Sequence, residues 1–145
     1  MHPNLSRAVL GGLVGTLGMT ALMYVVAPMM GLHMDIAAIL GSMLGGNWAA
    51  GLAMHFVNGS LIFPAIYVYA LYRFLRGSPV TKGTTLGTAL WLLAQVIVMP
   101  MMGGGLFSSA LGGMMAAVGS LVGHLVYGSL LGALAGAPES RVAHA

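Results

Sequence analysis

Cysteine is absent from this chain, which excludes disulfides, thiolate metal sites, iron–sulfur clusters and covalently attached c-type haem. Charge is nearly absent too: 5% of the residues are Asp, Glu, Lys or Arg, whereas soluble domains carry about a quarter. A chain that is 59% hydrophobic cannot cover a soluble fold with so few charges. We therefore predict a membrane-embedded protein. Its five basic residues are too few and too scattered for a nucleic-acid-binding surface.

Three long segments contain no charged residue at all, and they set the number of membrane spans. A spanning helix needs about 20 apolar residues, and the segments cover 8–34, 36–72 and 83–138. They are continuously apolar, whereas the strands of a membrane barrel alternate between apolar and polar residues. We predict an all-α polytopic membrane protein, a bundle of four transmembrane helices. The spans are expected at about 7–27, 48–72, 83–101 and 114–136.

The few charges predict the orientation of the bundle. With these spans, every cation falls on one side of the membrane and Asp35 falls on the other. The cations are Arg7, Arg73, Arg76, Lys82 and Arg141. Because loops rich in Lys and Arg stay in the cytoplasm, both termini are predicted to be cytoplasmic in a multi-pass protein of the bacterial inner (cytoplasmic) membrane.

The chain contains an internal repeat. The tetrapeptide "PMMG" occurs at 28–31 and at 100–103, and "HFVNGSL" at 55–61 recurs as "HLVYGSL" at 124–130. Matching blocks in the same order indicate a duplicated two-helix unit. We therefore predict one membrane domain, 1–145, built from two parallel hairpins at 8–72 and 83–136, related by an axis along the membrane normal.

Glycines repeat every four residues along the spans, which is the spacing that lets helix backbones approach closely in lipid. Each repeated histidine is also followed four residues later by a glycine: Gly59 after His55, and Gly128 after His124. Residues four apart share a helix face, so each His borders a bare patch of backbone. That patch can receive either a neighbouring helix or a flat ligand.

Prolines and one aspartate predict how the helices are interrupted. Pro64 lies inside the second span and should kink it near Ser60, whereas Pro28 and Pro100 are expected to end the first and third helices. After Pro28, Asp35 is placed to cap a short apolar helix at the outer face.

The paired histidines raise a haem hypothesis. His55 and His124, related by the pseudo-axis, are candidate axial ligands of one b-type haem, with Gly59 and Gly128 leaving clearance for the porphyrin edge. The alternative is that each His only fixes helix packing, through a hydrogen bond to Gln95, Thr20 or a backbone carbonyl.

Methionine and histidine at the outer side suggest a second cofactor. Thioether and imidazole groups suit Cu(I), so the chain offers a weak candidate copper cluster. Its members are His33, Met29, Met30, Met34, Met101 and Met102. The alternative is that these methionines are flexible apolar packing residues.

No catalytic arrangement is recognisable in the sequence. The two carboxylates, Asp35 and Glu139, are predicted to lie on opposite sides of the membrane, so paired acid–base chemistry is excluded. We therefore expect that the protein is not an enzyme.

The motifs "PMMG", "AMHFVNGSLIFPAIY" and "GHLVYGSLLG" resemble a family of small, uncharacterised bacterial four-helix membrane proteins. This resemblance implies the fold but brings no function or residue roles. We expect a non-catalytic accessory or structural component of a membrane complex, such as a respiratory one. Its expected contacts are the lipid bilayer and other membrane subunits or further copies of itself, and haem binding and copper handling are the alternatives.

Overall fold

The computed structural model describes residues 3–136, and all regular structure in that range is helical. This range contains four long helices, one short α-helix and a single 3₁₀ turn at Leu106–Ser108. The helices are α1 (Leu5–Met29), α2 (Ile36–Ser42), α3 (Trp48–Leu71), α4 (Pro79–Met101) and α5 (Gly113–Ala135). Each long helix is long and apolar enough to cross a membrane, which confirms the predicted all-α four-span bundle. Arg141 and Glu139 lie outside the described residues.

Four helices begin at a polar side chain that accepts a hydrogen bond from a backbone N–H three residues later. This arrangement pairs one of the donors that a helix start leaves without a partner. The pairs are Asn4 with Arg7 at 3.3 Å, Asp35 with Ala38 at 2.9 Å, Asn47 with Ala50 at 3.0 Å and Ser78 with Thr81 at 3.2 Å. The cap predicted at Asp35 is therefore confirmed.

The repeated "PMMG" is a helix stop. Gly31 and Gly103 both adopt a left-handed backbone conformation, with φ of 76° and 77°. In the first copy the Gly31 N–H donates to the Pro28 carbonyl at 3.0 Å, and the Leu32 N–H donates to the Ala27 carbonyl at 2.9 Å. The second copy makes the same pair of bonds around Gly103. This is the Schellman arrangement, in which a positive-φ glycine lets the chain turn back onto the last carbonyls of the helix.

Each proline in the interior of a span is preceded by a widened, π-helical stretch that ends two residues before it. The stretches are Leu22–Val26 before Pro28, Asn58–Ile62 before Pro64 and Ala94–Val98 before Pro100. Proline has no N–H, so it cannot bond to the carbonyl four residues earlier, and its ring clashes with that carbonyl. Widening moves the carbonyl away from the ring. The distortion predicted near Ser60 takes this form.

Helix α5 is the centre of the bundle, because it packs along both α1 and α4, while α3 packs mainly against α1. The short α2 lies on the start of α3. By contrast, few residues of α3 and α4 come close to one another. The backbones of the two hairpins therefore meet chiefly along α1 and α5.

Glycines form the contact between α4 and α5, as their spacing predicted. A methyl group added at Gly128 would overlap the Gly83 carbonyl, and one added at Gly132 would overlap the Pro79 carbonyl. The two backbones touch directly, so even one carbon atom has no space at this contact. By contrast, a methyl group at Gly18 would make ordinary contacts of 3.4 and 3.5 Å with side chains of α5.

We expect Gly128→Ala to lower the free energy of unfolding by about 1–3 kcal/mol, because the added methyl group must push two backbones apart. Gly18→Ala is the matched control and should change stability far less. Reversible unfolding in mixed detergent micelles measures both variants. Equal stability of the two would contradict the direct backbone contact at Gly128.

Candidate functional site: a cavity inside the bundle

A cavity of about 410 Å³ lies inside the half of the bundle that α2 covers. Helices α1, α3, α4 and α5 all contribute to its wall, and α2 and the segment before it close over one side. Both repeated histidines, His55 and His124, line it. Most of the wall is apolar, and the main polar groups beside the histidines are Thr16, Asn58, Gln95, Ser120 and Tyr127. The structure thus brings together the polar residues that lie inside otherwise apolar spans.

His124 has a ring orientation fixed by its own helix. Its Nδ1 lies 2.8 Å from the Ser120 carbonyl one turn earlier. A carbonyl only accepts hydrogen bonds, so Nδ1 carries the proton and Nε2 carries a lone pair. Within residues 3–136, Nε2 has no hydrogen-bond donor. This ring therefore presents an open acceptor at the cavity wall.

His55 has the opposite tautomer. The Thr20 hydroxyl donates to the Thr16 carbonyl at 2.6 Å, so its single proton is already engaged. The His55 Nε2 lies 3.1 Å from the same hydroxyl oxygen and must therefore donate to it. The lone pair of His55 is then on Nδ1, beside the backbone of α3. The contact of His55 with Thr20 joins two helices, as expected for a histidine that fixes helix packing, whereas His124 bonds to a carbonyl of its own helix.

Gln95 is the centre of a buried polar chain that the sequence revealed only in part. The Ser108 hydroxyl donates to Gln95 Oε1 at 2.8 Å, and Gln95 Nε2 donates to the Ser120 hydroxyl at 3.4 Å. Phe107 and Ser108 have positive φ values of 51° and 56°, which are uncommon without glycine, and the bond to Gln95 compensates for that conformation. Sequence analysis did not identify Ser108 or Ser120, because serines are common in apolar loops and spans.

Tyr127 joins α5 to α3 at the cavity wall. Its hydroxyl donates to the Gly59 carbonyl at 2.8 Å and is buried. In the widened stretch the Phe63 N–H bonds to the Asn58 carbonyl, five residues back. The next residue, Pro64, has no N–H, so it cannot serve the Gly59 carbonyl in the same spacing. Tyr127 supplies the donor that Pro64 lacks.

The glycines that follow the histidines face helices. A methyl group on Gly59 would overlap the Thr16 hydroxyl of α1, and one on Gly128 would overlap the Gly83 carbonyl of α4. Of the two occupants predicted for these bare patches, the structure has the neighbouring helix. Gly59 also lines the cavity, whereas Gly128 does not. The clearance for a porphyrin edge stays a prediction.

The candidate copper residues divide into two groups. His33 and Met34 line the cavity, whereas Met29, Met30, Met101 and Met102 do not. These four belong to the last turns of α1 and α4, where "PMMG" ends the helix. Met29 and Met101 are 83% and 70% exposed. Among the residues described, 3–136, no group of three or more His, Asp or Glu side chains is placed to hold a metal ion.

Asp35 organises the rim of the cavity beside α2. Its carboxylate accepts from the Tyr24 hydroxyl at 2.6 Å and from the Trp48 indole N–H at 2.9 Å, so it joins α1, α2 and α3. Burial alone would raise the pKa of Asp35. The hydrogen bonds from Tyr24, Trp48 and the amides of Ala37 and Ala38 together outweigh burial and hold the pKa below its usual value of 3.8.

The chain matches a family of unknown function, DUF6789, over residues 3–145. It belongs to this family. The match covers nearly the whole chain and agrees with the resemblance inferred from the repeated motifs. No curated protein and no solved structure matches the chain. Membership therefore brings no established activity, and the functional argument rests on the site itself.

We expect Tyr127→Phe to destabilise the protein by about 0.6 kcal/mol and by at most about 1.7 kcal/mol, the range for hydrogen bonds between membrane helices. The reason is that the Gly59 carbonyl loses its donor inside an apolar bundle. Tyr69→Phe, at a residue of α3 that is 69% exposed, is the matched control. Unfolding in mixed micelles measures the stability of both variants. Unchanged stability of Tyr127→Phe would contradict the role of this bond.

We expect the contacts of Asp35 to weaken in acid. The lowered pKa means that this carboxylate stabilises the fold above pH 3.8, and that the contribution is lost as the pH falls through the still lower pKa of the folded protein. Trp48 fluorescence in a Trp91→Phe background should therefore change below pH 3.8. The same scan with Asp35→Asn should show no such transition, and an identical transition would assign it to another group.

Proposed function

We propose that this protein is a non-catalytic integral membrane protein whose internal cavity holds a small lipid-soluble ligand. The observation that carries the proposal is the cavity of about 410 Å³ with His55 and His124 in its wall. Ligand sites are typically concave, mostly apolar spaces of about 300–1,000 Å³ with a few polar groups that orient the ligand. Histidines are rare inside membrane-spanning helices, and two of them in the wall of one cavity favour a functional role.

The polar groups of the cavity support binding better than catalysis. Asp35 is the one carboxylate within residues 3–136, and its oxygens are already engaged by Tyr24, Trp48 and the Ala38 amide. Among the residues that the structure describes, no carboxylate is paired with His55 or His124. A histidine without a charge-balancing carboxylate lacks the arrangement that the histidine of a catalytic triad uses.

The proposal places the protein in the bacterial inner (cytoplasmic) membrane, with both termini in the cytoplasm, as an accessory component of a larger complex. The accessory role is supported by the short loops and by the large apolar side chains that cover the outer surface.

Native electrophoresis of gently solubilised membranes tests the accessory role. We expect migration well above the mass of the single chain, and migration as a monomer under all mild conditions would contradict it.

Haem b is a second candidate ligand, favoured by the fact that His55 and His124 line the same cavity and each has one unprotonated ring nitrogen. Against it stand the filled glycine faces and the bond that occupies His55 Nε2. An absorption spectrum of the purified protein decides the matter. A Soret band lost in both His55→Ala and His124→Ala would establish haem, and a colourless folded protein would remove it.

Copper binding stays a prediction, which metal analysis of the same sample tests.

Filling the cavity should expel its ligand. Ala94 lines the cavity, whereas Ala89 lies on the same helix at an exposed position outside it. We expect native mass spectrometry of the purified protein to show a bound small molecule that Ala94→Phe loses. Ala89→Phe adds the same side chain on the outer surface and should retain the ligand. Equal loss or equal retention in the two variants would contradict binding in the cavity.

A further inference from the structure

We propose that the cavity recognises a lipid-soluble phenol, whose hydroxyl group donates a hydrogen bond to Nε2 of His124. This inference rests on the proposed function and adds the chemical class of the ligand. It follows from the Nε2 atom of His124, whose protonation and orientation are both fixed by the Ser120 carbonyl.

The histidines require a ligand that donates. His124 Nδ1 holds its proton on the Ser120 carbonyl at 2.8 Å, which leaves Nε2 as an acceptor. On His55 the proton is on Nε2, held by Thr20 at 3.1 Å, so its open nitrogen is an acceptor as well. A ligand with only carbonyl oxygens would place lone pairs against lone pairs. A hydroxyl group supplies the missing proton.

Two leucines at the edge of the cavity favour a ligand whose remaining part is apolar. Leu93 of α4 lines the cavity and is also 47% exposed on the outer surface, and Leu111 lines it and is 41% exposed. An apolar ligand body can contact these leucines and extend into the bilayer.

A phenol fits these two requirements better than other lipid-soluble molecules with hydroxyl groups. A phenol hydroxyl is more acidic than that of an aliphatic alcohol or of water, so it gives the stronger bond to an imidazole nitrogen. A fatty acid is ionised at neutral pH and has no proton to donate. An ionised carboxylate would also be costly to bury among these leucines.

The test compares para-octylphenol with its methyl ether, para-octylanisole, which has nearly the same shape and no donor. Binding is measured with the full-length protein in detergent micelles, with protein-free micelles as the blank. We expect the wild type to bind the phenol about tenfold more tightly, the ratio that one net hydrogen bond provides. His124→Phe should reduce the ratio to about one. Ser129→Ala, on the same helix but outside the cavity, should leave it unchanged.

A second measurement needs no substitution. In protein labelled with ¹⁵N at histidine, the His124 Nε2 resonance should shift on addition of the phenol and stay in place with the ether. A purely structural histidine would respond to neither. If both compounds bind equally and the resonance does not move, the cavity binds apolar molecules but the inference is wrong. If neither binds, the proposed function fails with it.

Discussion

The backbone carbonyl of Gly59 depends on a hydrogen bond from another helix, and this bond joins α3 to α5 beside the cavity. Inside a membrane no water is present to pair a carbonyl that its own helix leaves free. Pro64 creates such a carbonyl, and the widened stretch Asn58–Ile62 moves the deficit to Gly59. Tyr127 of α5 supplies the donor at 2.8 Å. The same bond holds α3 at a fixed position relative to α5, and the cavity that contains both histidines opens beside it.

The two repeats have diverged in complementary ways around this bond. Helix α5 is α-helical throughout and has no proline at the position that corresponds to Pro64, which is Ala133. In turn, the residue of the first repeat that corresponds to Tyr127 is Asn58. One copy therefore carries the unpaired carbonyl and the other carries its donor. The widened stretches of α1 and α4 differ as well. Buried Met23 in the first repeat corresponds to buried Gln95 in the second, so only the second repeat has the polar chain of Gln95.

Sequence was sufficient for the fold because the signals for membrane helices are local. Apolar length gave the four spans, glycine spacing gave the contact between α4 and α5, and the position of Asp35 gave the cap of α2. The site was predicted only in part. His55 and His124 stand out as polar residues in apolar segments, but Ser108 and Ser120 acquire their roles through distant contacts to Gln95. The methionines of "PMMG" suggested copper binding, which stays a prediction, and the helix end that the glycine of this motif forms was not predicted from it.

Symmetry in the sequence suggested symmetric chemistry, and the hydrogen bonds show why the two histidines differ. A repeat conserves which residue lies at a position, but a tautomer is set by the nearest partner. His55 meets a threonine hydroxyl whose proton is already engaged and must donate from Nε2, whereas His124 meets a carbonyl and donates from Nδ1. Their open nitrogens consequently lie at different distances from the helix backbone. Nδ1 is bonded to Cγ, close to the helix backbone, so a large planar ring has little room there. Nε2 is at the far end of the imidazole. A small donor that approaches His124 satisfies this asymmetry, while a ligand held equally from both sides would have to break the bond between His55 and Thr20.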